Sequence, residues 1–203
     1  MFWALMSFLR WLVPATARLP RERAKAPYSA AQIAAYLALA DAQPARGRRM
    51  RAGALIGLGA GAGLAGADLR QARGSDITCR SGGVVVQVRG RAPRVVPVLS
   101  RYHDLLLASA AFAGTRLVTG GRDPGRRNVT TPLTCSLAGG TGLPRLDTSR
   151  LRATWLAGCA KHLGLATFMP AAGITCSRRP GDLIAALDPA GEAQAVALPG
   201  GTR

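Results

Sequence analysis

Two periodicities of apolar residues run through this sequence, and the places where one gives way to the other mark its elements. Phe2, Trp3, Leu5, Met6, Leu9 and Leu12 recur at helical spacing, so residues 1–18 read as an apolar helix, interrupted by Arg10 and Pro14. Residues 19–27, LPRERAKAP, are charged and bounded by prolines, which makes them a linker. Ser29 and Gln32 form a capping box, and Ile33, Tyr36, Leu37, Leu39 and Ala40 supply the stripe of a helix that ends before Pro44. Arg46 to Arg51 open a second helix that continues through Ala54 to Leu64. Its glycines at 57, 59, 61 and 63 make it stable only under tight burial. A short helical piece covers 65–73.

The period then falls to two. Ser75 to Ile77, Gly83 to Arg89 and Arg94 to Val98 predict three strands, the last two joined by the turn Gly90-Arg91-Ala92-Pro93. Helical spacing returns from Ser100 to Phe112, again around 127–138, and most clearly from Asp147 to Leu163, with a last short helix at Leu183 to Leu187. No internal repeat is visible. The pattern predicts a mainly α, α+β domain over residues 28–190, with a small three-stranded antiparallel sheet that needs helices against it, and a polar tail at 191–203.

Composition sharpens this picture. The 203 residues hold 48% hydrophobic but only 5% aromatic side chains, which favours helices packed through small residues and excludes a fully disordered chain. Lysine and arginine number 27 against 10 acids, a net charge of +17, and only Lys25 and Lys161 are lysines. Arginine's planar fork suits phosphate, so a polyanionic partner is expected, although a GC-rich coding sequence accounts for part of the excess.

Cys79, Cys135, Cys159 and Cys176 stand far apart, and His103 and His162 are not at ligand spacing, so neither a zinc site nor a disulfide framework is expected. A reducing cytoplasm fits such cysteines. The GxGxG of residues 59–63 follows no strand and lacks a phosphate-loop lysine, which argues against a nucleotide cofactor. The N-terminal apolar run is too short and broken to span a bilayer, and its charges at Arg18, Arg21, Arg23 and Lys25 follow it, unlike a secretory signal. Residues 1–18 read instead as a docking helix or the remnant of an upstream domain.

Several motifs stand in a meaningful order: AGL with Asp68-Leu69 on a helix, then SDI, then GGVVVQVRGRAPRVVPV, then Leu151-Arg152-Ala153-Thr154-Trp155 on a later helix. In this order the sequence resembles the catalytic domain of tyrosine recombinases, the phage-type integrases, over residues 28 to 188. The resemblance implies metal-free phosphoryl transfer on DNA: a tyrosine attacks the scissile phosphate while two arginines, a hairpin lysine and histidines stabilise the charge that develops.

Carried over position by position, that machinery is incomplete here. Ala65 stands where the family has its first arginine, with Asp68 and Leu69 kept. Arg89 takes the place of the hairpin lysine, and a guanidinium is a poor proton donor. Arg152 keeps the second arginine, Ser149 stands at a histidine position, and Gly173-Ile174 replaces the glycine-histidine pair. The last tyrosine is Tyr102, and Cys176 or Ser177, the other nucleophiles in the right region, have no histidine or lysine beside them in sequence.

The expected function is therefore binding of double-stranded DNA, without cofactor or metal and without an intact catalytic set. Arg89, Arg91, Arg94, Arg126, Arg127, Arg150 and Arg152 are the expected phosphate contacts. For Arg152, the alternative is a pair with Asp68. Trp155 is expected in the core, and both histidines as ordinary helix residues. A full-length recombinase or a second copy of the chain would be a further partner. Two other readings are an active DNA breaking and joining enzyme, and a membrane-peripheral or protein-interaction module using residues 1–12.

Overall fold

The computed structural model describes residues 25–90, 92–121, 125, 129–137, 142–162 and 173. The apolar segment 1–18, Arg91, Arg126, Arg127, Ile174, Cys176, Ser177, the helix expected at 183–187 and the tail 191–203 lie outside them. Most of the linker does too.

Six α-helices and one sheet make up the described residues: α1 (Ala30–Asp41), α2 (Arg46–Ile56), α3 (Gly66–Gln71), β1 (Ile77–Arg80), β2 (Gly83–Val88), β3 (Arg94–Pro97), α4 (His103–Ala113), α5 (Thr131–Ser136) and α6 (Thr148–His162). Helix α1 starts as its capping box dictates: the Ser29 hydroxyl accepts from Gln32 N at 3.2 Å, and Gln32 Oε1 accepts from Ser29 N at 3.0 Å. Its stripe buries Ile33, Tyr36 and Ala40.

The centre of the core is α2 and its continuation. Every residue from Ala52 to Leu64 is buried. After Ile56 the chain widens into one π-helical turn, Gly57–Gly61, where the sequence pattern suggests only a glycine-rich α-helix. The end closes on two nested bonds, each one residue wider than in a Schellman motif: Gly63 N donates to Gly59 O, Leu64 N to Leu58 O, and Gly63 has φ +62. Close approach explains the glycines. A Cβ on Gly59 would lie 2.7 Å from Leu151 Cβ, and one on Gly63 would enter the Trp155 ring, so α6 can lie directly on the α2 backbone only because these positions lack side chains. Residues 59–63 are a packing surface for Leu151, Tyr102 and Trp155.

Helix α4 runs antiparallel to α2. Phe112 lies at Gly47, Leu105 at Gly53, and Tyr102 at Gly61. The sheet has the order β1-β2-β3, antiparallel throughout, with Ile77 opposite Val86 and Val88 opposite Arg94. Val84, Val86 and Val88 face inward, as period two requires, and the sheet packs against α4.

Three boundaries differ from the sequence expectation. Ser75–Asp76 belong to a 3-10 turn, Gly74–Asp76, because the Asp76 carboxylate accepts from Arg73 N at 3.0 Å and closes the chain before the strand begins. The helix α4 is led by a 3-10 turn, Ser100–Tyr102. The helix expected around 127–138 is only Thr131–Ser136 among the described residues. No helix among the described residues is long and apolar enough to cross a membrane.

Candidate functional site

The residues singled out by motif fall into one contact chain and two satellites. Helix α6 lies against the end of α2, so that an Arg152 Nη1 donates to Gly63 O. Two residues further, Ala65 N donates to Asp68 Oδ2 at 3.4 Å at the start of α3. That same oxygen accepts from Arg94 Nη2 at 2.8 Å, across from β3, with the two side chains only 12% and 18% exposed. The Arg94 guanidinium also lies against Gly173, whose Cβ position would be 3.1 Å from its Cζ. Gly63, Ala65, Asp68, Arg94, Arg152 and Gly173 thus converge from four separate parts of the chain.

The Asp68–Arg94 pair corrects two expectations. Arg94 points inward from the hairpin and is tied to a carboxylate, because Val88 opposite Arg94 in the register places it next to α3. Asp68 consequently serves Arg94 and is not the partner of Arg152. Arg89 stands apart: its Nε and Nη2 both lie 2.7 Å from Asp76 Oδ1, Asp76 being 1% exposed. A buried carboxylate requires such a partner, so the charges of Arg89 and Arg94 at the hairpin are both locally compensated.

The second satellite is the start of α6. Asp147 caps the helix, accepting from Ser149 N at 2.7 Å and from Arg150 N at 3.4 Å, and pairs with Lys25 Nζ at 2.7 Å. Burial works against its charge, but the bonds from Lys25 and Ser149 prevail and hold the carboxyl down at about 2. The Ser149 hydroxyl, where the resemblance implies a histidine, is spent on the same Asp147 oxygen. Arg150 lies 4.0 Å over the Tyr28 ring and donates to Ala26 O at 2.8 Å, fastening residues 26–28 onto α6. It is not a bare solvated cation.

None of the three tyrosines is presented to solvent. Tyr28, Tyr36 and Tyr102 are 4%, 0% and 1% exposed. Burial, aided by Tyr28, pushes the Tyr36 phenol up to about 12, and burial raises Tyr102 against the nearby Arg101. Burial likewise takes the Cys159 thiol to about 11. Trp155 is buried in the core, and His103 Nε2 donates to Val98 O at 3.0 Å at the start of α4. Sequence reasoning missed Arg101, which is exposed, stacks 5.0 Å over Tyr102 and is felt electrostatically by Cys159 on α6. Among the described residues no cluster of histidine, cysteine or carboxylate could hold a metal. Chemically, this arrangement can bind an anion through positioned guanidinium groups, while the Tyr36 and Tyr102 phenols and the Cys159 thiol remain neutral at ordinary pH.

This order of helices around a three-stranded antiparallel sheet is a tyrosine-recombinase-like fold. Among solved structures the chain is similar to XerA recombinase, with 14% identity and a TM-score of 0.64 over 96% of this chain and 72% of that one. It is similar to the XerH site-specific recombinase bound to palindromic difH substrate after cleavage, with 14% identity and a TM-score of 0.64 over 87% of this chain. In the pre-cleavage difH complex of XerH the values are 15%, 0.63 and 86%. The chain spans about half the length of XerH, 54% and 53% in the two complexes. No protein-family model matches the sequence, and no curated protein is significantly similar to it.

Proposed function

We propose that this protein binds double-stranded DNA on a recombinase-type scaffold and does not cleave it. One observation carries the reading: Asp68 and Arg152 are held in place by Arg94 and Gly63, on either side of Ala65, which stands where the resemblance implies the family's first arginine. The scaffold around the phosphate position is kept, and one of its charges is gone. Similarity to XerH, a protein solved on its difH substrate, supports DNA as the polyanion. So does the net charge of +17.

In this reading Arg152 and Arg89 face the duplex from α6 and the hairpin and Arg150 from the first turn of α6, while Arg94 holds Asp68 behind them; Arg91, Arg126 and Arg127, outside the described residues, are further proposed contacts. The phosphates bind by charge and by the forked geometry of guanidinium. Cleavage would require an arginine at residue 65, a proton donor at residue 149 or 89, and an exposed phenol. A reducing compartment keeps Cys79 and Cys135, both exposed, as thiols.

Two measurements test this. Fluorescence anisotropy with a labelled duplex should show binding whose affinity falls steeply as salt rises, by about 0.9 in log-log slope per phosphate contacted. A nicked suicide duplex, resolved on a denaturing gel, should give no covalent protein adduct. An adduct would establish a working strand-cleaving enzyme, and a flat salt response would remove the phosphate-reading surface.

A further inference from the structure

The far end of the α2–α4 pair carries a second group of cations that the site above does not use. Helix α2 opens with Arg46, Arg48, Arg49 and Arg51, has no acid in its first turn, and gets no side-chain cap from Ala45. Cations at that end oppose the helix dipole. Because α4 runs antiparallel, its C-terminal Arg116 arrives at the same place. The guanidinium groups of Arg46 and Arg116 each lie 5.9 Å from the Phe112 ring centroid. Arg51, Phe112 and Arg116 also line one small cavity of about 40 Å³, closed by Gly120 and Gly121. Arg46, Arg51 and Arg116 are exposed, and among the described residues none of them forms an ion pair. Two guanidinium groups over one aromatic ring, with Arg51 beside them in the same cavity lining, repel one another unless an anion lies among them.

We propose that Arg46, Arg51 and Arg116, grouped around Phe112, form a second phosphate-binding face that takes the backbone of another nucleic acid duplex. The distance makes it separate: Arg46 to Gly61 spans about 20 Å of helix at 1.5 Å per residue, so this face and the Arg152 side lie at opposite ends of α2. The chemistry selects the partner. Arginine forks match phosphate oxygens; Arg46 stacks on Phe112, while Arg116, whose Nε and Nη2 donate to Ala113 O at 3.2 Å and Phe112 O at 2.9 Å, adds its charge beside it. A lipid surface would call for apolar side chains to insert, yet Val95, on the sheet, is the one large exposed hydrophobic residue among the described ones. An acidic peptide would want apolar pockets beside the charge, and the ring of Phe112 is covered by guanidinium.

The inference rests on the proposed function only for the first duplex. The test uses the whole chain: a biotinylated duplex on beads is loaded with protein, washed, and offered a fluorescent duplex of unrelated sequence. Wild type should retain the fluorescent duplex. Arg46→Gln/Arg51→Gln should retain about tenfold less, with single-duplex affinity weakened less than about threefold. Neither side chain donates to a backbone carbonyl, so circular dichroism should show an unchanged unfolding midpoint. Bridging by the double variant equal to wild type overturns the proposal, as self-association through another surface would give. Capture of the first duplex without the second overturns it and leaves the proposed function standing. Failure to capture even the first overturns both. Binding to phosphatidylserine vesicles that depends on Arg46 and Arg51, with duplex bridging unchanged, overturns it in favour of a membrane surface.

Discussion

Gly63 combines a positive φ with a position under the Trp155 ring, so a side chain there is excluded twice, by backbone conformation and by space. Replacing Gly63 by alanine should cost at least about 3 kcal/mol, read as a shift in the urea midpoint. The substitution should also weaken DNA binding, because Gly63 O is what Arg152 grips. The Asp68–Arg94 pair sits at the same scale. Arg94→Ala leaves Asp68 partly buried without that partner and should destabilise the fold by about 2 kcal/mol. Arg152→Ala should reduce duplex affinity more than Arg150→Ala, whose guanidinium is occupied by Tyr28 and Ala26. If anisotropy gives equal losses for the two, the assignment of Arg152 to the duplex fails.

Among the elements, α6 is held by its first turn. Asp147 caps it, Lys25 neutralises Asp147, and Tyr28 OH donates to Arg145 O at 3.0 Å while accepting from Asp147 N at 2.9 Å. The segment 25–28 is therefore fixed to α6 by polar contacts. The Asp147 carboxyl titrates at about 2 in the fold, below its ordinary 3.8. A lowered value means the ionised form is favoured by folding. Its contribution to stability is thus complete above pH 3.8 and is lost as pH falls from there to about 2. Acid unfolding followed by circular dichroism should show this loss, and Asp147→Asn should flatten it. Cys159 on the same helix, buried and raised to about 11, should react with a thiol reagent only after the exposed Cys79 and Cys135, as mass spectrometry of a timed labelling would show.

At the scale of the molecule, cations predominate on two ends of one long buried helix. The Asp68–Arg94 end also carries carboxylates that offset part of its charge, whereas the Arg46–Arg116 end carries none in ion-pair reach among the described residues. Retention of the second duplex measured against salt should accordingly lose slope when Arg46 and Arg51 are removed, with the loss of retention largest at low salt. A slope identical to wild type would mean that these charges never meet phosphate.

Much of this was legible in the residues themselves. The capping box of α1, the alternating valines of β2 and the helical stripe of α6 are local patterns, and local propensity and burial period decide them. So too was the order of motifs that points to a recombinase-type fold. The resemblance also led to the expectation that Ala65 and Ser149 stand where the family has charged or titratable groups. It could not say that Asp68 would choose Arg94 over Arg152, that Arg150 would stack on Tyr28, or that Arg116 would meet Arg46 across Phe112. Those pairings join residues far apart in the chain, and they depend on the hairpin register, the glycine-permitted approach of α6 and the antiparallel run of α4 along α2. Only the packed structure sets those three things, because side-chain partnership follows distance in space, which local pattern does not encode.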